Sequence, residues 1–77
     1  MHPICFSPAR LRARRDQRGL TRSELAERCG LSVAAIKDYE SGRHTPGADA
    51  LGRLAAQLAC QVDDFFVRTY AELSDAS

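Results

Sequence analysis

The sequence predicts an all-α fold, a compact bundle of five helices, and three observations carry that expectation. Three helix starts follow one another in the first half of the chain, each opened by a capping hydroxyl. Further on, apolar residues recur at helical spacing. No stretch of useful length alternates β-branched and polar residues, so no strand is expected. With 77 residues, of which 44% are hydrophobic, the chain is long enough for one ordered core and too short for two. The single domain is expected to span residues 1–77. Its core runs from about 7 to 68, between a short flexible N-terminus and a small, polar tail that frays from Ala71 to Ser77.

Ser7 opens the first helix, with Pro8 in the first turn, where its missing N–H costs nothing, and with Phe6 and Leu11 placed to close a hydrophobic staple. Gly19 separates it from the second. Thr21 and Glu24 have the spacing of a capping box, flanked by Leu20 and Leu25 as the staple. Ser32 caps the third helix, expected over Ser32 to Tyr39, with Leu31 and Ile36 across its start; Gly42 supplies the left-handed residue that ends it. A polar loop from Arg43 to Gly47 carries Pro46. Leu51, Leu54, Ala55 and Leu58 then form the stripe of a fourth helix, and Val62, Phe65 and Phe66 suggest a short fifth.

The second and third helices are joined only by Cys29, Gly30 and Leu31, which forces a sharp turn. That is the geometry of a helix-turn-helix unit. Leu25, Cys29, Leu31, Ile36 and Tyr39 are spaced to bury one shared face, and Ala26 is small where the third helix must cross closely.

No run of about 20 apolar residues exists to span a membrane, and Met1 to Cys5 lack the blocks of a signal peptide, so a soluble cytoplasmic protein is expected. Three widely spaced cysteines contain no CxxC pair and form no disulfide framework. No grouped nucleophile, base and oxyanion donors point to an enzyme. Net charge is only +1 but unevenly spread: residues 1–22 hold six arginines against Asp16, whereas residues 23–40 and 41–77 each sum to −2. A local basic face of this kind is able to bind phosphate.

Together, Gly19-Leu20-Thr21, Glu24-Leu25-Ala26, Gly30-Leu31-Ser32, Ile36, Tyr39-Glu40-Ser41-Gly42, Pro46, Leu51 and Val62-Asp63-Asp64-Phe65-Phe66 resemble the phage repressor and Cro type, or Xre-like, family of helix-turn-helix regulators. The resemblance runs from about Leu11 to Phe66. It implies a lambda-repressor-like DNA-binding domain whose third helix lies in the major groove and whose second crosses the backbone. Ser32, Val33, Ala34, Lys37 and Asp38 then become the base-edge candidates: Val33 and Ala34 for a thymine methyl, Lys37 for guanine, Asp38 for cytosine. None is a bidentate reader, so DNA shape is expected to carry part of the discrimination. Arg18, Arg22, Arg43, His44 and Thr45 are the phosphate candidates. Relatives usually have Gln in place of Arg22, which puts that residue's orienting role in question. The resemblance also implies that Arg15 and Glu40 pair between the first and third helices.

Competing readings accompany each feature. Arg10, Arg12 and Arg14 fit a solvated face, and Cys29 and Cys60 stand where relatives place apolar residues. Ala59 replaces a common glycine, so the fourth helix is expected to run on. His2 and Cys5 do not complete a metal site, and no metal or cofactor is expected. The function implied is a sequence-specific transcriptional regulator, most often a repressor, binding a palindromic operator in double-stranded DNA as a homodimer paired through Asp63 to Leu73. The alternatives are an antitoxin or accessory module whose partner is a protein such as a toxin, and a thiol-based or metal-based sensor.

Overall fold

The computed structural model describes residues 4–68. In chain order these form β1 (Ile4–Phe6), α1 (Pro8–Gln17), α2 (Arg22–Cys29), α3 (Val33–Ser41), α4 (Ala48–Gln57), a 3₁₀ turn (Val62–Phe65) and β2 (Phe66–Arg68). The helix starts are where the capping residues require. The Ser7 hydroxyl accepts from Arg10 N–H at 3.3 Å, the Thr21 hydroxyl from Glu24 N–H at 3.1 Å, and the Ser32 hydroxyl from Ala35 N–H at 3.0 Å. Glu24 completes the capping box by accepting from Thr21 N–H at 2.9 Å. That backbone hydrogen bond, with the Thr21 hydroxyl, holds the Glu24 carboxyl below its ordinary pKa.

The turn between α2 and α3 is closed at Gly30, with φ +68°. There Leu31 N–H donates to the Ala26 carbonyl at 2.9 Å and Gly30 N–H to the Glu27 carbonyl at 3.3 Å, the paired bonds of a Schellman closure. A left-handed residue is what such a closure needs, and glycine adopts it without steric cost. From α4, Arg53 reaches back to the same turn: its Nη1 donates to the Cys29 carbonyl at 3.2 Å, while Cys29 Sγ donates to the Arg53 carbonyl at 3.7 Å.

The stripe faces read from the sequence meet in one core. Leu11, Leu25, Ile36, Leu54 and Phe65 are fully enclosed, with Ala26, Cys29, Leu51, Ala55 and Leu58 around them. Leu31 and Tyr39 are half-buried against the same cluster. Burial of this kind stabilises a fold by roughly 1.5 to 3 kcal/mol for each large apolar side chain.

Three expectations are corrected. Among the described residues the bundle has four α-helices, not five: from Val62 to Phe65 the chain makes a 3₁₀ turn in place of the expected fifth helix, and Phe66 is already extended at φ −114° and ψ 146°. Two strands exist where none was expected, β1 and β2 pairing antiparallel with Phe6 opposite Phe66 and Ile4 opposite Arg68. Phe6 draws them together, its ring 6.4 Å from Phe65 and edge-on to Phe66 at 6.0 Å, while Ser7 N–H donates to the Phe65 carbonyl at 2.7 Å. Finally, α4 does not run on. Ala59 takes the left-handed conformation at φ 54°, and Cys60 N–H and Ala59 N–H donate back to the carbonyls of Ala55 and Ala56. Alanine thus occupies the position that glycine fills in the other closures.

Candidate nucleic-acid interface

α3 is fixed from behind by Ile36 and Tyr39, so its opposite side faces solvent. Ser32, Val33, Ala34 and Lys37 are exposed, and Val33, at 45%, is one of the two large apolar side chains left open among the described residues. Four of the five base-edge candidates therefore share an accessible surface. Asp38 differs: it is half-buried, and its carboxylate lies 3.7 Å from His44 Nε2. Its carbonyl also accepts from Arg43 N–H at 2.9 Å and His44 N–H at 3.3 Å, folding the loop back onto the end of α3. The loop thus brings the phosphate candidates Arg43, His44 and Thr45, all exposed, beside α3, with buried Pro46 anchoring its far side. Arg18 is exposed on the turn between α1 and α2, and no hydrogen bond or ion pair joins its side chain to the other candidates.

Behind α3 lies a charged network. Glu40, only 1% exposed at its side chain, accepts from Arg15 Nε at 2.6 Å and Arg15 Nη2 at 3.1 Å. The expected Arg15 to Glu40 pair is present, and Arg15 Nη1 also donates to the Leu20 carbonyl at 2.8 Å. Arg22 adds a contact the sequence reading missed, its Nε donating to Glu40 Oε1 at 3.0 Å. Burial pushes the Glu40 carboxyl up, but the hydrogen bonds and charges of both arginines more than offset it and hold the group below its ordinary pKa. Arg15 is held above its own, chiefly by its hydrogen bonds to Glu40. Opposite charge in the sequence was the one signal for the Arg22 contact, and it does not distinguish Glu40 from nearer carboxylates.

The two inner cysteines sit in apolar surroundings: burial pushes the Cys29 and Cys60 thiols up, which disfavours the reactive thiolate. Among the described residues no three His, Cys, Asp or Glu side chains group as a metal site, and His2 lies outside them. No helix among them is long and apolar enough to cross a membrane. Of the segment Asp63 to Leu73, residues 63–68 are described and 69–73, with Tyr70, lie outside.

Comparison with known proteins agrees with this architecture. The model of the helix-turn-helix family HTH_3 matches residues 11–65. An uncharacterized HTH-type transcriptional regulator of Methanothermobacter thermautotrophicus is 36% identical over 58 residues, which cover 74% of this chain and 84% of the relative. Among solved structures, the restriction-modification controller protein C.AhdI from Aeromonas hydrophila superposes with a TM-score of 0.73 at 27% identity, over 77% of this chain and 89% of that one. The P22 c2 repressor in complex with a synthetic operator gives 0.72 at 29% identity, over the same shares of 77% and 89%. The biofilm regulator SinR in complex with DNA gives 0.69 at 28%, over 71% and 89%. Capped helices, the Gly30 turn and these likenesses agree, and the chain belongs to the helix-turn-helix family.

Proposed function

We propose that this protein is a sequence-specific DNA-binding transcriptional regulator, a repressor that binds a palindromic operator as a homodimer. The observation that carries the reading is the outer face of α3, where Ser32, Val33, Ala34 and Lys37 are exposed on a helix clamped from behind by the core. In the major groove Val33 and Ala34 meet thymine methyl groups and Lys37 donates to a guanine edge. Asp38 is a candidate acceptor for a cytosine amino group once it releases His44. Arg18, Arg22, Arg43, His44 and Thr45 contact phosphate and set the register without reading sequence. Support comes from the similar P22 c2 repressor and SinR, both solved with DNA.

The reading surface has no bidentate hydrogen-bonding side chain, so one subunit discriminates weakly. Two subunits related by a two-fold axis read two half-sites about 34 Å apart and multiply their affinities. Pairing is assigned to the C-terminal segment Asp63 to Leu73. At that end Ile4, 62% exposed, lines a groove with Phe66 and Val67.

Selection from random duplexes tests the proposal, followed by sedimentation with and without the selected DNA. Enrichment of an inverted repeat bound by two subunits is the expected result. No enrichment above random duplex removes the sequence-specific reading, and a monomer in both conditions removes the symmetric operator.

A further inference from the structure

We infer that Glu40 is a positioning residue for DNA binding: through Arg22 Nε it presents the Arg22 guanidinium to a backbone phosphate, while touching no DNA itself. The inference rests on the DNA-binding reading above and adds to it a buried residue that the exposed surface does not reveal.

Charge matching motivates it. Glu40 carries one negative charge, and Arg15 already meets both of its oxygens, at 2.6 and 3.1 Å. Asp16, 3.4 Å from Arg15 Nη1, balances the charges of the wider group, but its side chain is 62% exposed; beside the enclosed Glu40 itself, Arg22 is the second cation against one carboxylate. Arg15 is fully engaged, its Nη1 donating to the Leu20 carbonyl at 2.8 Å and lying 3.4 Å from the Asp16 carboxylate, with its side chain 10% exposed. Arg22 is held by Nε alone, with its side chain 41% exposed, and its Nη groups make no hydrogen bond to any described residue. A guanidinium used at one edge keeps further donors for a planar acceptor or a phosphate. Arginine is otherwise a long, mobile side chain that loses conformational freedom on binding, and the Glu40 contact removes much of that loss beforehand. Arg22 is also the first residue of α2, the helix that crosses the backbone in this docking geometry.

The test uses the whole chain and a labelled mixed-sequence duplex, with affinity followed across a salt series, because a phosphate contact is independent of sequence. Arg22→Ala is expected to weaken binding by roughly tenfold at low salt and to reduce the slope of log K against log salt by about 0.9 per bound subunit. Arg22→Lys keeps the charge but has no Nε to meet Glu40; it is expected to retain most of the slope and still bind several-fold more weakly. Neither variant touches the Arg15 to Glu40 pair, so both are expected to fold. Glu40→Gln, with folding checked by circular dichroism, completes a double-mutant cycle with Arg22→Ala. Positioning predicts that Glu40→Gln weakens binding in the wild-type background and has no further effect once Arg22 is alanine. Equal losses in both backgrounds, or an Arg22→Lys chain that binds like wild type, overturn the inference and leave DNA binding standing. Failure of the wild-type chain to bind any duplex overturns both.

Discussion

Replacing Ala59 with glycine is expected to stabilise the protein. Ala59 holds φ 54° after α4, where Cys60 N–H donates to the Ala55 carbonyl at 3.0 Å and Ala59 N–H to the Ala56 carbonyl at 3.4 Å. For an L-residue that conformation costs about 1 to 2 kcal/mol, through the close approach of Cβ to the carbonyl oxygen. Glycine removes the cost but widens the unfolded ensemble by roughly 0.5 to 1 kcal/mol. Ala59 is exposed, so losing its methyl group gives up little packing. The net gain lies between about 0 and 1.5 kcal/mol, and its midpoint of roughly 0.75 kcal/mol raises Tm by roughly 3 to 6 °C in a domain of this size. Thermal unfolding followed by far-ultraviolet circular dichroism measures it, with Ala59→Val as the opposite perturbation, since a β-branched residue tolerates a left-handed backbone poorly. A Tm that falls on Ala59→Gly refutes the reasoning, and would mean that α4 continues through Ala59 as the sequence alone suggests.

Arg15→Ala leaves the enclosed Glu40 carboxylate with Arg22 as its one cation, and is expected to cost on the order of 3 kcal/mol in urea unfolding. A loss no larger than that of an exposed-arginine control such as Arg12→Ala would place the pair at the surface in solution. Because the folded pKa of Glu40 is depressed, its stabilisation is complete above the ordinary glutamate value near about 4.3 and is lost as pH falls through the lower folded value. Stability measured against pH should therefore drop in that acidic window, and Glu40→Gln should flatten the drop while lowering stability at neutral pH. Alkylation with iodoacetamide should modify exposed Cys5 in the native protein, whereas Cys29, buried and with its thiol pKa raised, should react only as the protein opens. Equal native rates for the two would remove Cys29 from the core.

Signals that act over a few residues were legible in the sequence. Ser7, Thr21 and Ser32 cap because a hydroxyl needs only the N–H groups of the next turn, and Gly30 turns because its backbone requirement is local. The exposed face of α3 followed from the same periodicity that buried Ile36. What escaped was set by distant partners. Three-residue strands are too short to show alternation, and β1 and β2 pair because Phe6 packs on Phe65 and Phe66, some sixty positions away. Arg22 reaches Glu40, and Asp38 meets His44, only once the turn and the loop have placed them. Ala59 was misread for a different reason: alanine favours helix, and the pull of Cys60 and the 3₁₀ turn into the core outweighs that preference.

In the proposed complex the outer face of α3 reads DNA and the β1 and β2 end does not. Amide chemical shifts of the labelled protein, followed as a selected duplex is added, test it residue by residue. The largest changes are expected at Arg22 and across Ser32 to Lys37, smaller ones at Arg43 to Thr45, and none in β1 at Ile4 to Phe6 beyond those that pairing of two subunits produces without DNA. Changes that begin in β1 and β2 and leave Ser32 to Lys37 unmoved would contradict it.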